Sequence, residues 1–158
     1  MCGIAGIVQQ EPGALGPVIH DMTRAIGHRG PDDEGVLLVG PDRSWSTVEL
    51  DPADRVGALD RLPSMAVRLA LGHRRLSIID VSPAGHQPMV TDDGRYWLAY
   101  NGELFNYIEL RAELEAEGVR FRSDSDSEVL LAAWRQWGPA SLEKFIGMWA
   151  FALYDVRE

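Results

Sequence analysis

Met1-Cys2-Gly3-Ile4-Ala5-Gly6-Ile7 opens the chain and sets its single cysteine at the second position. Cys2 is small enough to permit removal of the initiator methionine, which would leave a cysteine carrying a free α-amino group. One residue would then hold a nucleophile and its own base. A free thiol titrates at about 8.5 and an α-amino group at roughly 7.7–8.0, so near neutrality the amine can take the thiol proton, directly or through one water. Position alone favours a plainer reading, a small buried hydrophobe at the start of a strand. Residues elsewhere in the chain reverse that balance.

The length of 158 residues suits one domain able to bury roughly 68–70% of its unfolded surface. An apolar content of 46% with 25% charged residues is that of a soluble globular protein. The net charge of −9 argues against non-specific binding to nucleic acid or to an anionic membrane. A lone cysteine excludes an internal disulfide framework and fits a reducing compartment. No stretch approaches the ~18 apolar residues of a membrane span, and the apolar start lacks the basic flank of a signal peptide. The expected location is the cytoplasm.

Gly3 to Gln9 reads as a buried first strand. A helix should follow with Ile19, Met22 and Ile26 on one face, ending at Gly27; then a polar turn, His28 to Gly35, leads into strand-like Val36–Val39. Residues 40–66 read as a surface excursion with one strand around Ser46 to Leu50. Val67 to Ile79 is a strand candidate interrupted at Gly72-His73-Arg74-Arg75, and Tyr96 to Tyr100 alternates like another. Asn106 with Glu109, and Ser125 with Glu128, have the spacing of capping boxes before two helices that end at Gly118 and Gly138-Pro139. A short helix over Ser141–Phe145 and a final apolar strand, Gly147 to Tyr154, complete the pattern. Strands and helices occur in blocks, which favours a layered α+β architecture over a doubly wound sheet.

Four segments set polar groups beside strand ends or helix starts, and together they cover what amide hydrolysis requires. Cys2 is the candidate nucleophile. In Tyr100-Asn101-Gly102-Glu103, a side-chain amide and a glycine N–H suit an oxyanion hole, although Asn-Gly alone more often marks a hairpin turn. Arg74-Arg75-Leu76-Ser77 offers a planar fork for a carboxylate, against the commoner fate of solvated arginines. Asp126, in Ser125-Asp126-Ser127-Glu128, can meet a cationic amine, against the ordinary preference of acidic residues for a first helical turn. His20, His28, His73 and His86 are scattered and not spaced with Cys2 like a zinc site, so no metal is expected.

Joined in order, Met1-Cys2-Gly3-Ile4-Ala5-Gly6, His28-Arg29-Gly30-Pro31-Asp32, His73-Arg74-Arg75-Leu76-Ser77-Ile78, Gly85-His86-Gln87-Pro88-Met89, Asn101-Gly102-Glu103 and Ser125-Asp126-Ser127-Glu128 resemble the glutaminase domain of class II glutamine amidotransferases, in the asparagine synthetase branch. The resemblance implies a four-layer αββα N-terminal-nucleophile hydrolase sandwich spanning 1–158. It implies that Cys2 attacks the side-chain amide of glutamine, giving a thioester, ammonia and then glutamate. Asn101 and the Gly102 N–H would hold the oxyanion, Arg75 the substrate α-carboxylate, and Asp126 its α-ammonium, with Leu76 and Glu103 completing the substrate site. Arg29 would brace the loop beside the nucleophile, and Arg74 would be the solvent-facing neighbour of Arg75.

Family members carry a second domain that activates an acid with ATP and receives the ammonia; its Ser-Gly-Gly-x-Asp-Ser loop is absent from these 158 residues, as are Walker-type glycine patterns. The glutaminase reaction itself is expected to need no cofactor, ATP and Mg belonging to the missing synthetase domain. That domain or a separate subunit is the expected partner, with a homodimer as a further possibility. The chain is expected to be an N-terminal fragment, incomplete at its C-terminus within the fold. Its last strand then lacks a neighbour, an aggregation hazard, and the isolated chain is expected to be marginally stable or self-associating, against a sharp monomer peak and a cooperative melt. Competing readings are an amidase for another small γ-amide, and an inactive relic or partner-binding subunit that keeps the motifs without turnover.

Overall fold

The structure, a computed structural model, describes residues 2–50 and 63–158. The expected loss of Met1, and residues 51–62 of the proposed excursion over 40–66, lie outside the described residues. Seven strands and three helices are described: β1 (Gly3–Gly13), α1 (Leu15–Ala25), β2 (Asp33–Val39), β3 (Trp45–Leu50), β4 (Val67–Arg75), β5 (Met89–Val90), β6 (Tyr96–Leu104), α2 (Tyr107–Ala116), α3 (Asp126–Trp137) and β7 (Gly147–Asp155). The strands form two antiparallel sheets, one ordered β1-β4-β2-β3 and the other β5-β6-β7.

Three apolar layers hold four structural layers together, as alternation along a strand requires when both faces of a sheet are covered. Val36 and Leu38 turn one way from β2 and pack with Ala70 and with Leu15 and Ile19 of α1. Leu37 and Val39 turn the other way, toward Leu71 and Trp97 between the sheets. On the far side, Leu98, Tyr100 and Leu104 of β6 meet Leu110, Leu114 and Val129–Leu131 of α2 and α3. The result is the expected αββα sandwich. Complete burial of a side chain such as Ile19 contributes roughly 1.5–3 kcal/mol.

Local corrections follow from packing. β1 extends to Gly13; Gly3 and Ala5 are buried, but from Gly6 on the strand alternates between exposed and half-buried at the sheet edge, and Val8 is 78% exposed. On α1 the inward face is Leu15, Ile19 and Thr23, with Met22 exposed. β2 begins at Asp33, inside the stretch read as a turn. β4 is uninterrupted through Gly72, since a side chain there would collide with Thr23 Oγ1 of α1, so the glycine is a packing requirement rather than a break. The strand read near Ser46 is present as β3.

The two helix starts differ. Ser125 Oγ accepts from Glu128 N at 3.2 Å, as its spacing predicts, while the Glu128 carboxylate turns to the main-chain N–H groups of Arg122 and Ser123. Asn106 does not cap α2. Its amide instead ties the chain before β7, donating to Lys144 O at 2.9 Å and accepting from Ile146 N at 3.0 Å. A long-range partner displaces the local cap. At the other end of α2, Gly118 takes φ +91° and Val119 N returns to Leu114 O, a Schellman ending. The short helix expected over Ser141–Phe145 is a 3-10 turn over Gly138–Glu143.

Asn101-Gly102 is not a turn. Both residues lie in β6, paired with Ala150 and Trp149 of β7. A Cβ on Gly102 would stand 2.5 Å from Met148 O and 2.6 Å from Trp149 Cα. Gly102→Ala is therefore expected to cost about 1–3 kcal/mol of stability by overpacking, read as a fall of several degrees in melting temperature.

Candidate active site

β1, β4 and β6 bring the sequence-predicted residues to one end of the two sheets. A cavity of about 160 Å³ there is lined by Cys2, Arg75, Leu76, Gly102, Glu103 and Asp126, together with Gln87, Tyr100, Met148 and the Leu76–Asp80 loop. Pairing of Gly3 with Arg74 sets Cys2 beside the end of β4, and Leu76 N donates to Cys2 Sγ at 3.4 Å. An N–H aimed at sulfur stabilises negative charge on it. Arg29 Nε donates to Cys2 O at 3.3 Å.

Arg75 is buried at the cavity wall. Its guanidinium donates to Ser82 O at 2.8 Å and to Asp80 O, pinning the loop that forms one side of the cavity, with its other N–H groups left over. Gly85 makes room, since a Cβ there would strike the guanidinium. Asp80 in turn accepts from Ser82 N at 2.7 Å and Asp124 N at 3.0 Å, fixing the loop against the start of α3.

Across the cavity, Asp126 opens α3, where the helix terminus favours a carboxylate. Its Oδ2 accepts from Tyr100 OH at 2.9 Å and from Leu104 N at 3.1 Å. Burial pushes the Asp126 carboxyl above its usual range even against these donors. Burial likewise raises the Tyr100 phenol, with the Asp126 charge adding to it, so Tyr100 remains a donor. Asn101 is adjacent on β6 but not among the lining residues; its Oδ1 is buried without a protein partner. Gly102 and Glu103 do line the cavity.

Four residues with defined places here had no role in the sequence reading. Tyr100 holds Asp126. Gln87 accepts from Tyr100 N at 2.6 Å and donates to Ser127 Oγ at 3.1 Å, joining β6 to α3 behind the cavity. Arg74, expected to face solvent, is 6% exposed; it pairs with Glu34 and its Nε donates to Gly30 O at 2.9 Å. That face of β4 is covered by the turn after α1, so alternation places Arg74 under protein rather than under water. His73 is 1% exposed between the sheets and meets Tyr100 O at 2.9 Å through Nε2. A carbonyl only accepts, so Nε2 carries the proton.

Burial lowers His73 to about 4 despite that bond. The unfolded chain then binds a proton that the folded one refuses, and stability falls as pH drops from about 6.5 toward 4. The slope is at most about 1.4 kcal/mol per pH unit for one proton. Urea midpoints across that range are expected to show it, and His73→Gln to flatten it.

His86 Nδ1 lies 2.8 Å from Asp33 Oδ2, with Glu49 near both, but this group stands apart from Cys2, which is not among its members. Burial notwithstanding, the His86 hydrogen bond holds the Asp33 carboxyl below its usual range. Among the described residues, no helix is long and apolar enough to cross a membrane.

The fold thus sets a thiol, a cation and a carboxylate around one cavity. The family signature of the glutamine amidotransferase domain matches residues 57–158, and the chain belongs to that family. Asparagine synthetase [glutamine-hydrolyzing] 1 of Bacillus subtilis is 38% identical over all of this chain, and asparagine synthetase B [glutamine-hydrolyzing] of Escherichia coli is 34% identical over 98% of it. The chain spans only 21% and 23% of those relatives. The solved glutamine phosphoribosylpyrophosphate amidotransferase of B. subtilis, in complex with ADP and GMP, superposes with a TM-score of 0.75 over 97% of this chain and 35% of that one, at 22% identity, which supports the shared fold.

Proposed function

We propose that the chain hydrolyses the side-chain amide of glutamine, delivering ammonia to an asparagine-synthetase-type, ATP-dependent acceptor. The observation that carries the reading is one cavity with Cys2 Sγ at one wall and two opposite charges, Arg75 and Asp126, at the others. Glutamine differs from simple amides in its zwitterionic end, and a cation and an anion at fixed spacing select it. A ligand lacking either group leaves a buried charge unpaired, which costs more than a missing methylene.

In this reading Cys2 loses Met1, and its α-amine takes the thiol proton. Sγ attacks the amide carbon, and the oxyanion meets the Gly102 N–H at the cavity wall; Asn101, one residue back on β6, has to turn its amide toward the cavity to add the second donor. The carbon–nitrogen bond breaks, ammonia leaves with the transferred proton, and a thioester remains. Water then cleaves the thioester to glutamate and restores the thiol. Each group in this sequence belongs to the chain, so the reaction calls on no cofactor; ATP and Mg serve the acceptor reaction. A reducing, cytoplasmic setting suits the free thiol.

Release of ammonia from glutamine tests the proposal, with Arg75→Ala as the discriminating variant. Loss of an arginine from the carboxylate end is expected to raise KM for glutamine by at least roughly tenfold. An unchanged KM would point instead to an amidase indifferent to the zwitterion. No glutamine turnover by the wild type would remove the glutaminase reading altogether.

A further inference from the structure

The mechanism leaves a buried ion pair unused. Glu34 and Arg74 are 4% and 6% exposed, and Glu34 Oε1 is buried with no partner among the described residues. Such a pair is a poor source of stability, because desolvation offsets most of its attraction. Its surroundings suggest another use. Arg74 is the register partner of Gly3 on one side and of Glu34 on the other, one residue from the nucleophile along β1. Its Nε donates to Gly30 O, at the end of the 3-10 turn Gly27–Arg29, and the guanidinium lies against Gly27 at the start of that turn. Gly30 has no room for a Cβ, which would run into the Arg74 carbonyl. The turn so held carries Arg29, whose Nε donates to Cys2 O.

We propose that the Glu34–Arg74 pair is a positioning device for the nucleophile: Glu34 aims Arg74, Arg74 fixes the Gly27–Gly30 turn, and Arg29 on that turn fixes the main chain of Cys2. The proposal rests on Cys2 being the nucleophile of the reaction above. Lysine can keep the ion pair but lacks the forked second donor that reaches Gly30 O while the first holds Glu34. Displacing a reacting atom by about 1 Å costs on the order of 100-fold in rate. The substrate's charged end is held by Arg75 and Asp126, neither of which the pair touches.

The test compares wild type with Arg74→Lys and Glu34→Gln in three measurements on the full chain: thermal melting, glutamine kinetics, and alkylation of Cys2 by iodoacetamide at one pH. In variants that melt cooperatively, kcat for glutamine is expected to fall at least roughly tenfold while KM changes less than about threefold. Alkylation by iodoacetamide, which needs no glutamine pocket, is expected to accelerate as Cys2 leaves its half-buried place. Unchanged kcat and unchanged alkylation in folded variants would overturn the proposal. So would a rise in KM without loss of kcat, or loss of the cooperative melt in both variants, since the pair would then serve the fold as a whole. A wild type that does not turn over glutamine, with variants that still alkylate faster, would sink the glutaminase reading and leave the positioning chain standing.

Discussion

Replacing Cys2 by serine is expected to abolish glutamine hydrolysis, by a factor on the order of 10⁴ or more. The substitution exchanges one atom. Serine keeps the side chain's length and its ability to accept from Leu76 N, which donates to Sγ at 3.4 Å in the native protein. It removes the only group in the cavity that reacts readily with an amide carbon near neutral pH. Thiolates form orders of magnitude more readily than alkoxides, and an α-amine that can deprotonate a thiol is a weak base toward a hydroxyl. Because Cys2 is only half-buried at the start of an edge strand, the melting temperature is expected to stay within about a degree or two of the wild type. Ammonia release and a thermal melt on the same sample separate the two effects.

The second large effect is expected at Asp126. Two hydrogen bonds to its side chain, from Tyr100 OH and Leu104 N, end on the single atom Oδ2. Asparagine can place its one oxygen there, so Asp126→Asn deletes the charge and spares the contacts. Removing the partner of an α-ammonium is expected to raise KM for glutamine roughly 10- to 100-fold. Stability moves the other way. Burial raises the carboxyl's pKa, so the folded protein favours the protonated form, and ionisation costs stability at every pH above that raised value. Asp126→Asn lacks that cost, and at neutral pH its melting temperature is expected to match or exceed the wild type's. The pH profile of kcat/KM gives an independent check. Affinity for the zwitterion is expected to weaken as pH falls through the raised Asp126 value, an acid limb absent from Asp126→Asn.

The fold and much of the cavity were legible in the sequence because short-range chemistry fixes them. Ser125 three residues before Glu128 announces the start of α3, and with it the place of Asp126. Apolar runs in β2, β4 and β6 announce strands covered on both faces. What stayed hidden depends on partners far along the chain. The face of Arg74 was misread because nothing local shows that the turn after α1 closes over it, 44 residues away in sequence from the Gly30 carbonyl it binds. Asn106 had a capping spacing, yet its amide is claimed by residues 38 and 40 positions on. Asn101-Gly102 has hairpin composition, and only the pairing of β6 with β7 makes it strand. Nothing local to Gly85-His86-Gln87-Pro88-Met89 shows the role of Gln87, since its two partners, Tyr100 and Ser127, lie in different elements. His73 carried one usable signal, a titratable residue in an apolar run.

The intact mass of the purified chain before and after exposure to a diazo-ketone analogue of glutamine reads the nucleophile and its pocket together. The expected result is loss of Met1, then a single adduct on Cys2 that excess glutamine prevents and that Cys2→Ser does not form. A chain that has lost Met1 and folds, yet takes up no adduct, would contradict it; the cavity would then hold the residues of a glutaminase without binding glutamine beside a working nucleophile.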